Sequence, residues 1–407
     1  MNYKYDINFL RQLPKTDLHV HLDGSLRIST LIELAKSRNV KLPSNTESGL
    51  KELVFKDSYK NLNEYLSGFG LTCSVLQDEE SLEQVSYELA MDNFAEGVRY
   101  VEVRFAPQLH VNDKLDMRSV VASVTKGMDR AKNEINNKIE ILSGSEPRFE
   151  YGIIVIAMRM FTGGFSDYFK KFVMVHKYTP NENIYALASL EMAQAVVALR
   201  EEGFPIVAFD LAGSEDGYPA GDHIKAFDYI HKHFISKTVH AGEAYGAESI
   251  FQAITELHAD RIGHGFHIFS PEKILSSLIK NKENYIQKLA QYIAEHRITL
   301  EVCLTSNLQT MPELQNDLKK HSLQKMLDAR LSITLCTDNR LVSNTTVTNE
   351  INLAVNNFNI SPNHLKNILI YGFKRSFFKG SYQEKRDYVR SNINYYEMLA
   401  KKFGYEV

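Results

Sequence analysis

Cysteine is scarce: Cys73, Cys303 and Cys336 are the only three in 407 residues, too few and too scattered for a disulfide framework or a four-cysteine metal knuckle. A reducing compartment is the natural setting. Charge of one sign is also lacking, because 47 Lys plus Arg face 50 Asp plus Glu for a net charge of −3. A surface that neutralises phosphates or anionic lipid needs a basic surplus, so neither nucleic acid nor membrane is an expected partner. Met1 to Leu13 mixes Asp6 and Arg11 with aromatics and holds no uninterrupted apolar core. No signal peptide or spanning segment is expected from it, and the expected location is the cytoplasm. Glycine-rich phosphate loops are missing too: no GxGxxG and no GxxxxGK motif follows any apolar run, which disfavours a doubly wound nucleotide-binding sheet.

What is present is a globular composition, 44% hydrophobic and 24% charged, with ample material for a large core. Eight short β-rich apolar runs alternate with stretches of helical period: Thr16 to Leu22, Val98 to Phe105, Tyr151 to Ala157, Pro205 to Leu211, Lys237 to Ala241, Arg261 to Gly263, Ile298 to Cys303 and Leu331 to Cys336. Alternation of this kind predicts parallel strands joined by helical crossovers, and eight strands close a (β/α)8 TIM-type barrel. About 75 residues separate the first run from the second, far more than one crossover requires. They include helical patterns at Ser29 to Lys36 and Glu80 to Glu96, so a helical cap over residues 26–95 is expected. The sixth-to-seventh interval is also long, and its Lys- and Asn-rich stretch Lys273 to Tyr285 is expected as a surface insertion. With no low-complexity linker and no repeat, residues 1–407 are expected to form a single domain.

The first run ends in His19-Val20-His21-Leu22-Asp23-Gly24. Residues two apart on a strand share a face, so His19 and His21 can aim at one metal ion in the barrel mouth. Spacing alone is weak support, since the chain holds a second HxH, His231-Lys232-His233, which suits a solvated helix end better. Recurrence is stronger support. The fifth run ends in His240-Ala241-Gly242-Glu243, the sixth in Gly263-His264-Gly265 and the eighth in Thr337-Asp338-Asn339. In this architecture reactive groups gather at the C-terminal strand ends. Imidazole and carboxylate ligands suit zinc, iron or manganese.

These segments, together with Tyr100-Val101-Glu102-Val103-Arg104-Phe105, Asp210-Leu211-Ala212-Gly213, Arg261-Ile262-Gly263 and Glu301-Val302-Cys303-Leu304-Thr305-Ser306-Asn307, resemble in kind and order the adenosine deaminase family of metal-dependent hydrolases. The resemblance runs from residue 18 to 338. It implies one Zn2+ held by His19, His21, His240 and Asp338, and hydrolytic removal of the 6-amino group of adenosine, with 2′-deoxyadenosine also accepted, to leave inosine and ammonia. Glu243 would protonate purine N1, His264 would orient the attacking water and assist proton transfer, and Asp338 would share that task from the opposite side. A purine nucleoside is the implied partner, with Asp23 at the 5′-hydroxyl, Gly213 at purine N3 and His21 beside the substrate. Leu62, Tyr65, Leu66 and Phe69 lie at i, i+3, i+4 and i+7, one helical face. That face fits either core packing or, by the resemblance, a gate over the site.

The chain departs from the family where many members have a second aspartate at purine N7. Asn339 and Arg340 follow Asp338 instead, and an amide can still donate to N7. Two further readings stay open: the same chemistry on another 6-aminopurine, and a non-catalytic nucleoside-binding protein, which would be expected to have lost a ligand or Glu243. A cytidine-deaminase-type site needs PCxxC beside HxE, and the chain has neither.

Overall fold

A computed structural model describes residues 3–59 and 62–405, without the side chains of Leu62, Asn63 and Leu66. Its eight strands are β1 (Lys15–His21), β2 (Val98–Phe105), β3 (Glu150–Met158), β4 (Ile206–Ala212), β5 (Ser236–Ala241), β6 (Arg261–His264), β7 (Thr299–Val302) and β8 (Ser332–Leu335). They pair in sequence order, every pair parallel. The ring closes at its C-terminal end, where Asp338 N–H donates to His19 O at 2.8 Å and His21 N–H donates to Asp338 O at 2.8 Å. This is the expected (β/α)8 barrel, and each expected run coincides with a strand. Strands such as β3 (EYGIIVIAM) are near-continuously apolar because helices cover one face while barrel packing fills the other.

Four helices, Ile28–Ser37, Glu47–Leu53, Leu62–Ser74 and Glu79–Ala95, fill the long first connection. The expected cap resolves into two unlike parts. Glu79–Ala95 buries Leu82, Val85, Leu89 and Ala90 in the main core and packs on the barrel helix Met117–Asn136, as an ordinary crossover does. Leu62–Ser74 instead lies over the barrel mouth. Between β6 and β7, Leu275 and Leu278 are 75% and 86% exposed, as a surface insertion would have them. The crossover helix Lys282–His296 begins inside that stretch, capped by Asn281, whose side chain accepts from Asn284 N–H. After β8, helix Pro362–Arg375 packs against β8 and β1, and Tyr382–Lys402 anchors the bottom of the barrel through Tyr388 Oη, which donates to Arg99 O at 2.6 Å. His231 and His233 fall at the end of helix Ile224–Lys232, with His231 stacked on His258.

All three cysteines are free and buried. Among the described residues no helix is long and apolar enough to cross a membrane.

Candidate active site

The inward-facing polar residues of the barrel form a ladder below the mouth. Arg104 on β2 donates to Asp210 on β4 at 2.9 Å and to Glu301 on β7 at 2.8 Å. Arg261 on β6 holds the other Glu301 oxygen at 2.7 Å and also pairs with Glu102. Side chains of this size and charge are tolerated in a dry interior only when paired, and these residues are at most 1% exposed. The two arginines hold Glu301 well below the usual carboxylate range, against the burial that opposes its charge.

The ladder fixes the histidines above it. His19 Nδ1 lies 2.8 Å from Glu301 Oε2 and His240 Nδ1 lies 3.2 Å from Asp210 Oδ1. A carboxylate accepts only, so each ring carries its proton on Nδ1 and turns a bare Nε2 lone pair into the mouth. His19 Nε2 is buried with no hydrogen-bond partner. His21 Nε2 stands 3.3 Å from His240 Nε2 and 3.4 Å from Asp338 Oδ1, and Asp338 Oδ1 is 3.5 Å from His19 Nε2. Burial pushes the pKa of His21 well down and that of His240 down, so those two rings turn lone pairs inward, while contacts with Asp338 and Glu301 raise that of His19 against its burial. Asp338 is held far below the carboxylate range by His19, His264 and His21 despite its burial, and its second oxygen accepts from Ser306 Oγ at 2.6 Å. Converging imidazole lone pairs and one carboxylate form the donor set of a divalent metal site. These residues therefore fit a metal cofactor, and two overlapping metal-capable groups occur among them, His19-His21-Asp338 and His19-His240-His264.

His264 Nε2 lies 3.5 Å from Glu243 Oε1. Burial first, then the charges of Asp338 and Glu215, push the Glu243 carboxyl up to about 8. His264 and Asp338 have φ of 63° and 60°, the left-handed region that non-glycine residues occupy mainly where surrounding structure imposes it. Gly242, at φ 80°, takes a backbone conformation that side chains rarely adopt, and a Cβ there would stand 3.1 Å from Gly265 Cα.

Two residues that sequence reasoning missed hold the strand ends. Glu215 accepts from the backbone N–H groups of Gly242, Glu243, Ala244 and Tyr245 at 2.7–3.2 Å. Arg159 donates to His240 O and Tyr218 O. Neither has a spacing or motif that marks it, because each acts on backbone far away in sequence.

Above the cluster lies a cleft of about 1230 Å3. Asp23 lines it, buried, with its carboxyl pushed by that burial up to about 7 and Oδ1 without a partner. Gly213, at φ 106°, also lines it. Tyr65 and Phe69 project from helix Leu62–Ser74 into the same cleft, with the Phe69 ring 6.4 Å from that of His21. The side chains of Leu62 and Leu66 lie outside the described residues. Asn339 reaches the cleft, yet one of its N–H groups donates to Tyr65 Oη at 2.7 Å and its oxygen faces Gly24, where a Cβ would stand 1.9 Å away. Its amide is thus committed to helix Leu62–Ser74 as well as open to the cleft.

A barrel with a buried, metal-capable histidine–aspartate cluster beside an acid at its C-terminal mouth is the architecture of a metal-dependent hydrolase. The sequence model described as adenosine deaminase matches residues 14–394. The chain is 33% identical to an adenosine deaminase of Vibrio atlanticus over 365 residues, 90% of this chain and 94% of that one. It belongs to the adenosine deaminase family and is a hydrolytic deaminase. By fold it is similar to an adenine deaminase of Arthrobacter aurescens (TM-score 0.74, 19% identity, 95% and 99% of the two chains). It is likewise similar to an amidohydrolase of Burkholderia ambifaria with bound Zn (TM-score 0.76, 18% identity, 99% and 97%).

Proposed function

We propose that this chain deaminates adenosine, and 2′-deoxyadenosine with it, to inosine and ammonia, using one Zn2+ held by His19, His21, His240 and Asp338. The observation that carries the reading is the orientation of His19 and His240. Glu301 and Asp210 turn their Nε2 lone pairs toward His21 and Asp338, directly beside the Glu243–His264 pair. A zinc ion there supplies Lewis acidity that makes water nucleophilic at neutral pH.

The chain's own residues do the rest. Glu243, kept protonated by its buried surroundings, delivers a proton to purine N1, so that C6 accepts the water oxygen. His264 orients that oxygen, and Asp338 shares the task from the opposite side. Of the two protons the water gives up, one passes to the amino nitrogen, so that collapse breaks the C6–N bond and releases ammonia, and the other restores Glu243. Asp23 receives the 5′-hydroxyl, the Gly213 N–H meets N3, and the Asn339 amide serves N7. The helix carrying Leu62, Tyr65, Leu66 and Phe69 closes over the purine and excludes water. Residues 1–407 act as a single catalytic domain, since the proposed ligands run from β1 to the end of β8. Three buried free thiols suit a cytoplasmic setting.

One observation favours a second reading. The cleft exceeds the roughly 300–1,000 Å3 of ordinary small-molecule pockets, room that a larger 6-aminopurine would use. A buried carboxyl at the 5′ end, Asp23, weighs against a 5′-phosphate. The deciding experiment is ammonia release from adenosine, deoxyadenosine, adenine, AMP and N6-methyl derivatives, with metal content measured on the same sample. Adenosine turned over best by zinc-loaded protein is the expected result; preference for adenine or AMP would replace this substrate, and no turnover of any would remove the activity.

A further inference from the structure

His264 shares its strand-end position and its burial with the histidines proposed as ligands, but what faces its Nδ1 differs. His19 and His240 present Nδ1 to carboxylates, which only accept. His264 presents Nδ1 to the Asn307 amide, with Nδ2 at 3.3 Å. Asn307 Oδ1 in turn lies 3.1 Å from His321 Nε2, and His321 Nδ1 accepts from the backbone N–H of Leu323 at 3.0 Å. All three side chains are nearly inaccessible to solvent.

A main-chain N–H can only donate, and this settles every proton in the chain. His321 Nδ1 must be the bare nitrogen, so its single ring proton sits on Nε2. That proton needs an acceptor, which assigns Oδ1 of Asn307 to the His321 side and Nδ2 to the His264 side. An amide N–H needs a lone pair, so His264 Nδ1 is bare and its proton is on Nε2, pointing at Glu243. Burial pushes the His321 pKa down to about 3, which keeps that ring neutral, as the relay requires.

We propose that Asn307 and His321 are positioning residues that lock His264 in the Nε2–H tautomer, making it a hydrogen-bond donor at the reacting centre rather than a metal ligand. Of the two metal-capable groups, the one containing His264 is thereby excluded, because an Nε2 that carries a proton has no lone pair to give. The donor role also excludes His264, in its neutral resting form, as the base that takes a proton from water. The inference rests on the proposed reaction for its consequence, but the tautomer itself can be read without turnover.

The test uses full-length, metal-loaded protein labelled with 15N-histidine, whose ring nitrogen shifts report the tautomer of each ring. Wild type should show Nε2–H for His264 and His321, and Nδ1–H for His19 and His240. Asn307→Asp replaces the donor with a second acceptor, so His264 should switch to Nδ1–H. A misplaced tautomer in a hydrolytic triad costs about 10⁴ in kcat, and a fall of roughly 10²-fold or more, with KM within about threefold, is expected here. His321→Gln keeps both halves of the relay, its carbonyl accepting from Leu323 N–H and its amide donating to Asn307, and should stay within about threefold of wild-type kcat. His321→Leu should match Asn307→Asp. Retention of Nε2–H on His264 in Asn307→Asp, or equal losses in His321→Gln and His321→Leu, would overturn the proposal. If wild type turned over no purine while the shifts came out as stated, the reaction would fall and the tautomer lock would stand. Should Asn307→Asp not fold, the His321 pair decides alone.

Discussion

At the level of single residues the chemistry turns on which groups are charged and which carry a proton. Glu243→Gln removes the exchangeable acid while keeping shape, so the variant should fold and hold metal yet lose about 10² to 10⁴ in kcat, the usual scale for a positioned acid. Steady-state rates with metal analysis check this, and near wild-type turnover would exclude Glu243 as proton donor. Glu215 makes a different prediction. Its carboxylate satisfies four main-chain donors of the loop that carries Glu243, one buried and three half-buried, and a buried donor left unpaired costs about 1–3 kcal/mol. Glu215→Ala should therefore unfold at distinctly lower urea concentration and also lose kcat, because the Glu243 backbone is no longer held. A variant with unchanged midpoint would mean that water replaces the carboxylate at no cost. His19, His21, Asp23, His240, Glu243, His264 and Asp338 could be singled out in the sequence because each sits at a strand end beside a glycine or a second polar residue. Glu215, Arg159 and His321 could not, because they act through contacts distant along the chain that no local pattern encodes, and Asn307 stands at the end of the Glu301 to Asn307 motif with nothing in the sequence to mark its role.

Elements were legible where burial writes a period into the sequence. All eight strands could be read, since strands of a parallel barrel are buried on both faces and show as apolar runs. The cap was legible only as excess length. Its division into a crossover, Glu79–Ala95, and a helix over the mouth, Leu62–Ser74, depends on which neighbour each apolar face meets, and the same i, i+3, i+4, i+7 spacing serves core and gate alike. That helix carries its own prediction. Phe69 stands against His21 with its ring half open to the cleft, so Phe69→Ala removes apolar contact with bound substrate more than contact with the core. Pocket contacts of this kind are worth about 1–3 kcal/mol, so KM should rise about tenfold or more while the thermal midpoint moves little. A large fall in thermal stability at unchanged KM would assign the helix to core packing instead.

Across the whole molecule, buried histidines couple stability to pH. His110 is fully buried, its Nδ1 donating to Leu76 O at 2.9 Å, and burial pushes its pKa down to about 4. His223 is buried beside Ser189 Oγ at 2.7 Å, and burial followed by the charge of Arg159 pushes it down to about 3. Unfolding returns both rings to water and to a pKa near 6.5. Between these values the unfolded chain binds protons that the native chain refuses, so the native state loses stability as pH falls. The contribution is complete above pH 6.5 and is lost as pH drops through about 4 and then about 3, at roughly 1.4 kcal/mol per pH unit per histidine in the steep part. Urea unfolding at pH 7.5 and pH 5, with metal kept saturating, should show the loss. In His110→Gln the amide can donate to Leu76 O without titrating, so the variant should lose less stability over that interval than wild type by roughly 2 kcal/mol. Equal losses in the two proteins would show that His110 takes up its proton without unfolding, and that the acid sensitivity of the barrel lies elsewhere.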